Sequence, residues 1–214
     1  MNRREFSAWV GTGLGAAAWT GIAGAQPKVP VEGTNYVRLS QAATVATPGK
    51  IEVIEFFWYG CPHCNAFEPA LEAWEKKLPA DVAFRRVPVA FRPEPFVAHQ
   101  KIFYSLDAMG LIPTMQRKVF YAIHVQHQRL DQLPEIAEFM KQNGVDSVKF
   151  IENFNSFSVQ TRIRQAAQLS EAYKIDGVPA MGVQGRYYTS GSMAGSNDGM
   201  LTVADYLIQK SRKV

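Results

Sequence analysis

The sequence predicts an α/β domain interrupted by a block of helices, and three observations carry that reading. An apolar run, "IEVIEFFWY" at 51–59, leads through a helical stretch to a second strand, "DVAFRRVPVAF" at 81–91. Helical periodicity then runs from about Pro95 to Ile175. Strand chemistry returns in "VPAMGVQGRYYTS" at 178–190, before a final amphipathic helix. The order is β, βαβ, helical block, ββα. With 214 residues, 12% aromatic and 47% hydrophobic, the chain can bury a substantial core.

The first stretch, "MNRREFSAWVGTGLGAAAWTGIAGAQP", has the layout of an export signal: Arg3 and Arg4, an uncharged segment from Phe6 to Ala25, and small residues Ala23, Gly24 and Ala25 before Gln26. Its paired arginines are compatible with either the general secretory or the twin-arginine route. Glycines at 11, 13, 15, 21 and 24 make it a poor membrane-spanning helix. Removing residues 1–25 leaves 21 basic and 18 acidic residues, a net charge of +3. So mild a charge, with no basic run, points away from nucleic acid. No later stretch is apolar for long enough to span a bilayer, so a soluble mature protein is expected.

After the signal, "NYVRLS" (35–40) reads as an edge strand and "TPGK" as a turn. The run at 51–59 has the composition of a central strand covered on both faces, with Glu55 out of place in it. A helix starts near Pro62, which completes the βαβ unit with the strand at 81–91. The helical block reads as four or five helices, with Gly110 and Gly144 where helix ends are expected. Gln184-Gly185 can form a hairpin turn. The terminal helix, "DGMLTVADYLIQKSRK", places its cations where they favour the helix dipole.

The only two cysteines are Cys61 and Cys64, in "CPHC". Export places them where disulfides persist. A bridge between them closes too short a loop to constrain the unfolded chain much, so chemistry explains them better than stability. Proline prefers the first helical position, which makes Cys61 the helix cap. A thiolate there faces the free N–H groups of His63 and Cys64 and the positive end of the helix. His63 adds a donor or a positive charge. Whatever stabilises the Cys61 thiolate favours the dithiol form and makes the disulfide an oxidant. Cys61 is expected to be the exposed nucleophile, and Cys64, one turn inside, the resolving thiol.

A zinc site would need two further ligands, and only His99, His124 and His127 remain. The pair at 124 and 127 lacks the usual spacing and reads as a solvated helix face. Glu55 has two readings from spacing alone. It is either a buried carboxyl that exchanges protons with Cys64, or a residue on the wet side of an alternating strand.

The residues "FFWYGCPHCNAFEP" together with "GVPAMGVQGRYY" resemble the DsbA family of periplasmic thiol:disulfide oxidoreductases over essentially the whole mature chain. The resemblance implies a thioredoxin fold with an inserted all-helical domain: a discontinuous thioredoxin-like domain at 26–95 and 176–214, and the insertion at 96–175. It implies that Cys61, Pro62, His63 and Cys64 form the active site, with a redox-active Cys61–Cys64 disulfide. Glu55 falls at the family's buried acid, which favours the proton-relay reading. Val178 and Pro179 match the loop whose proline is cis and whose neighbouring backbone pairs with an extended substrate.

The implied activity is oxidation of cysteine pairs in newly exported, reduced proteins in the periplasm. Reoxidation would fall to a DsbB-type, quinone-linked membrane partner; no cofactor or metal is required, and a monomer is expected. A disulfide isomerase or reductase of the same fold, or a peptide-binding chaperone, are the alternatives. Two departures, Gly182 and the stretch "RPEPF" at 92–96, are expected to reshape the peptide groove.

Overall fold

The structure, a computed structural model, describes residues 29–213. The expected export signal lies outside the described residues. Among those described, no helix is long and apolar enough to cross a membrane.

Five strands form one mixed sheet: β1 (Val37–Arg38), β2 (Ile51–Phe57), β3 (Val82–Pro88), β4 (Ala180–Val183) and β5 (Tyr187–Ser190), in the order β1-β5-β4-β2-β3. β2 runs parallel to β3 and antiparallel to β4. The parallel pair is bridged by helix α1 (Pro62–Glu75), the crossover such a pair requires. Helices α2 (Phe96–Ala108), α3 (Ile112–His124), α4 (Leu133–Gln142), α5 (Ser147–Phe154) and α6 (Phe157–Ala172) lie between β3 and β4 in sequence, matching the helical block. A short α7 (Gly191–Ala194), which no sequence signal announces, precedes α8 (Asn197–Ser211).

Every residue of β2 is buried. Ile51 and Val53 pack with α1 and α8, whereas Ile54 and Phe56 join a core shared with α2, α3 and α6. Side chains alternate between the faces of a strand, so Glu55 points toward the α1 side and Glu52 toward the other. Neither is solvated: both are 0% exposed, which overturns the wet-face reading of the strand. The neighbouring strand supplies the countercharges, because Arg85 and Arg86 stand opposite Ile54 and Glu55 in register. Arg85 Nε reaches Glu52 Oε2 at 2.9 Å.

The local turn and cap signals of the sequence are realised. Gly110 and Gly144 end α2 and α4 with φ of 70° and 77°. Gln184 and Gly185 both have positive φ, and the turn closes with Arg186 N–H donating to Val183 O at 3.0 Å. The edge strand is shorter than expected, two residues rather than six, but holds its edge position against β5.

Gly182 does not face a groove. It is buried in β4, and a Cβ there would lie 2.4 Å from the Tyr173 ring, so glycine is required by packing rather than by substrate. The stretch at 92–96 does border the cysteines' loop, through Phe96, whose ring stacks on Trp58 at 4.1 Å.

Candidate active site

The site is built where β2 ends. Trp58, Tyr59 and Gly60 turn the chain into α1, and Cys61 N–H donates to Trp58 O at 3.0 Å. The Trp58 indole folds across Gly60 so closely that a Cβ there would lie 2.3 Å from it. The ring continues into a pile of aromatic side chains: Phe96 at 4.1 Å and His99 at 5.9 Å, with Phe91 edge-on to Phe96 at 5.9 Å.

Cys61 is the N-cap of α1, with extended backbone at φ −85° and ψ 118°, and Pro62 opens the helix. Asn65 N–H donates to Cys61 O at 3.1 Å, the first bond of the helix. Cys61 caps the N-terminus of α1 without its side chain accepting a hydrogen bond from the first turn; the backbone N–H groups of His63 and Cys64 still lower its pKa. Cys61 is less open than the sequence predicts, at 7% exposure; Pro62 and His63 are the exposed residues of the tetrapeptide. Cys64 is 0% exposed, and both cysteines are in the dithiol form.

The acidities of the two sulfurs are pushed apart. Cys61 is brought down to about 6, first by the Cys64 S–H that points at it, then by the N–H groups of Cys64 and His63, and least by the charge of His63; burial opposes them. Cys64 is held well above the ordinary range by burial, by the interaction of its thiol with the Cys61 sulfur and by the nearby carboxyl of Glu55. A thiolate on Cys61 beside a thiol on Cys64 is the arrangement of a reactive dithiol.

Across from Cys61 stands the loop before β4. The Cys61 S–H donates to Val178 O at 3.3 Å, and the Val178-Pro179 peptide is cis. Val178 is half-buried and Pro179 buried. The predicted residues Cys61, Pro62, His63, Cys64, Val178 and Pro179 therefore meet at one place, and Glu55 lies on the strand beneath them.

Glu55 takes part in a network that spacing does not reveal. Arg86 Nε is 3.2 Å from Glu55 Oε2, without lining up for a hydrogen bond. The same guanidinium reaches Glu68 at 3.5 Å and Glu75 at 3.2 Å. Glu55 is pushed well above the usual carboxylate range, first by burial and then by the Glu68 carboxylate, with Arg86 opposing. Two arginines in the middle of a strand otherwise fit for a core are the available signal for this cluster.

The inserted helices also reach the site. The spacing predicts a solvated face for His124, but its Nε2 lies 2.8 Å from Tyr59 O, and its ring stacks on Phe120 at 6.0 Å. A carbonyl can only accept, so Nε2 carries the proton. His127 is exposed, as expected. Gln116, also on α3, accepts from Tyr59 O–H at 2.6 Å.

Residues 52–207 match the family model described as a DSBA-like thioredoxin domain. The chain is 44% identical over 198 residues to the thiol:disulfide interchange protein DsbA of Burkholderia cepacia, covering 92% of each. It is 43% identical over 199 residues to the protein of that name from Pseudomonas aeruginosa, covering 93% of each. The crystal structure of Pseudomonas aeruginosa DsbA superposes with a TM-score of 0.83 at 44% identity, over 86% of this chain and 95% of that one. The oxidoreductase DsbA from Xylella fastidiosa superposes with a TM-score of 0.81 at 30% identity, over 87% and 100%.

Proposed function

The chain belongs to the DSBA-like thioredoxin family and is a thiol:disulfide oxidoreductase, and from that premise we propose that it works as a dithiol oxidase, donating a Cys61–Cys64 disulfide to reduced proteins. The observation that carries the direction of transfer is the place of Cys61 at the cap of α1, where its pKa is brought down to about 6. A thiolate so stabilised is a good leaving group, and its stability favours the dithiol product over the disulfide.

In the cycle, a substrate thiolate attacks Cys61 Sγ, the Cys61–Cys64 bond breaks, and Cys64 leaves as a thiolate that takes a proton. A second substrate thiolate attacks the substrate's own sulfur in the mixed disulfide. Cys61 then departs as a thiolate held by the helix N-terminus, with the substrate oxidised by two electrons and the protein reduced by two. The redox equivalents are carried by the two sulfurs themselves.

Glu55 is assigned as the proton source for Cys64; its burial and its raised pKa support a protonated carboxyl beside a forming thiolate. Pro62 opens the helix that Cys61 caps, and the charge of His63 is the smallest of the influences that lower Cys61. Val178 and Pro179 are assigned to the substrate's backbone, on the strength of their position against Cys61.

The substrates are newly exported proteins in the periplasm, reached after removal of residues 1–25, and a DsbB-type membrane protein restores the disulfide. The enzyme acts as a monomer. The unit carrying the chemistry is 26–95 with 176–214, and 96–175 is its insertion, a division supported by α2 beginning at Phe96 and α6 ending at Ala172.

Equilibration of the purified protein with mixtures of reduced and oxidised glutathione tests the direction. The oxidase reading expects the dithiol to predominate even at mildly oxidising ratios. A disulfide that survives moderately reducing ratios would overturn it in favour of a reductase or isomerase.

A further inference from the structure

One guanidinium, that of Arg86, faces three carboxylates. Glu75 is partly open to solvent, but Glu55 and Glu68 are buried, at 0% and 2% exposure. Two anions side by side in a buried site around a single cation are costly, and such pairs hold a proton between them. The geometry indicates where it sits. Glu68 Oε1 accepts from Gln116 Nε2 at 3.1 Å while its Oε2 lies 3.5 Å from Arg86 Nη2. Neither oxygen of Glu55 finds a hydrogen-bond donor among the described residues.

Gln116 is 4% exposed and comes from α3 of the insertion. Its amide is oriented by Tyr59, whose O–H donates to Oε1 at 2.6 Å and leaves the NH2 group turned to Glu68. An amide N–H can only donate, so it favours the ionised carboxylate over the protonated one. Rotating the amide would present its oxygen to Glu68 and would demand a proton there. The two orientations of one side chain thus correspond to the two locations of the proton.

We propose that Gln116 is a positioning residue for the disulfide chemistry: by holding Glu68 as the charged acceptor, it keeps the shared proton on Glu55, beneath Cys64. This rests on the reading of Glu55 as the proton partner of Cys64. When the Cys61–Cys64 bond breaks, the Cys64 thiolate takes the Glu55 proton and Glu55 becomes a carboxylate, which recovers a proton from solvent. In reoxidation Glu55 first releases that proton to solvent and then takes the proton of the Cys64 thiol, so that each half of the cycle exchanges one proton with solvent. The charged and titratable groups around Glu55 are Arg86 on β3 and Cys64, Glu68 and Glu75 on α1, with Tyr59 in the turn that follows its own strand. The inserted helices would then set where the proton waits, through a contact that reaches Glu68 on α1 across 48 positions.

The test uses the whole protein and the infrared stretch of the protonated carboxyl in the dithiol form, assigned by the charge-preserving Glu55→Asp and Glu68→Asp, each of which shifts the band only where the proton sits on that residue. In the otherwise unaltered protein the band should move with Glu55→Asp and stay with Glu68→Asp. In a Gln116→Met background, which keeps the length and removes the donor, it should move with Glu68→Asp instead. Reduction by dithiothreitol in single turnover should slow on the order of 10²-fold in Gln116→Met, while the Cys61 thiolate still titrates near 6. If Gln116→Met does not fold, Gln116→Asn, whose shorter amide withdraws from Glu68, serves the same comparison. A band that still follows Glu55→Asp in the Gln116 variants overturns the proposal. If Glu55→Gln leaves the single-turnover rate unchanged, it is the Glu55 reading that fails, and the infrared assignment still judges Gln116.

Discussion

The Cys61 thiol donates to the carbonyl oxygen of Val178 at 3.3 Å, across 117 positions of sequence. A thiolate has no proton to donate, and neither has a sulfur in a disulfide. In both states that carbonyl is left free to accept. It is therefore available to a backbone N–H of a bound chain in the forms that react, and occupied in the fully protonated dithiol. A peptide N-methylated at the amide that meets Val178 should form its mixed disulfide with Cys61 less favourably, by about 1 kcal/mol. Equal mixed-disulfide stability for methylated and unmethylated peptides, by competition in a redox buffer, would remove Val178 from the substrate site.

The acidity of Cys61 rests more on Cys64 than on His63. The Cys64 S–H is the largest lowering influence, and the His63 charge comes after two backbone N–H groups. Cys64→Ala should therefore raise the Cys61 pKa further than His63→Ala does, and Cys64→Ser, which restores a donor, should recover part of the shift. The pH dependence of iodoacetamide alkylation at Cys61 measures all three. A larger shift in the His63 variant would reverse that order.

Some of this site is legible in the chain and some is not, for a physical reason. Signals confined to a few neighbours, such as Pro62 after a capping cysteine or Gln184-Gly185 between two strands, can be read directly because backbone geometry decides them. Glu68, Arg86 and Gln116 cannot. Their roles exist only through partners 11 to 57 positions away, and a glutamate on a helix or a glutamine among polar residues carries no local mark of burial. His124 escapes for the same reason, since its partner is a backbone carbonyl 65 positions earlier. The wet-side reading of Glu55 stays open in the sequence because a strand covered on both sides leaves no alternation to read.

Stability should follow the charge on Cys61. A group whose pKa is depressed in the folded state contributes fully above its ordinary pKa and loses that contribution as pH falls through the folded one. For Cys61 the window lies between 9.0 and about 6. Within it the reduced protein should gain on the oxidised protein by about 1.4 kcal/mol per pH unit. Cys64, pushed the other way, subtracts only above the ordinary thiol range. Thermal melts of both forms should show the reduced form ahead at pH 8 and the advantage lost by pH 5. An unchanging gap would contradict the assignment.

Gly182 supplies a prediction that leaves the chemistry alone. A methyl group there would press into the Tyr173 ring at 2.4 Å, within a core that also holds Phe56. Gly182→Ala should cost about 1–3 kcal/mol of stability. Denaturant midpoints would register that loss, while the alkylation pKa of Cys61 should stay where it is. A variant as stable as the parent would mean that Tyr173 moves aside freely.

The direction of electron transfer depends above all on the cap of α1 holding Cys61 as a thiolate. Thiolate absorbance in the ultraviolet, followed through a pH titration of the reduced protein and corrected by that of the oxidised form, measures this most directly. One sulfur should titrate near pH 6, with Cys64 silent through neutral pH. A first transition near the ordinary value of 9.0 would contradict it.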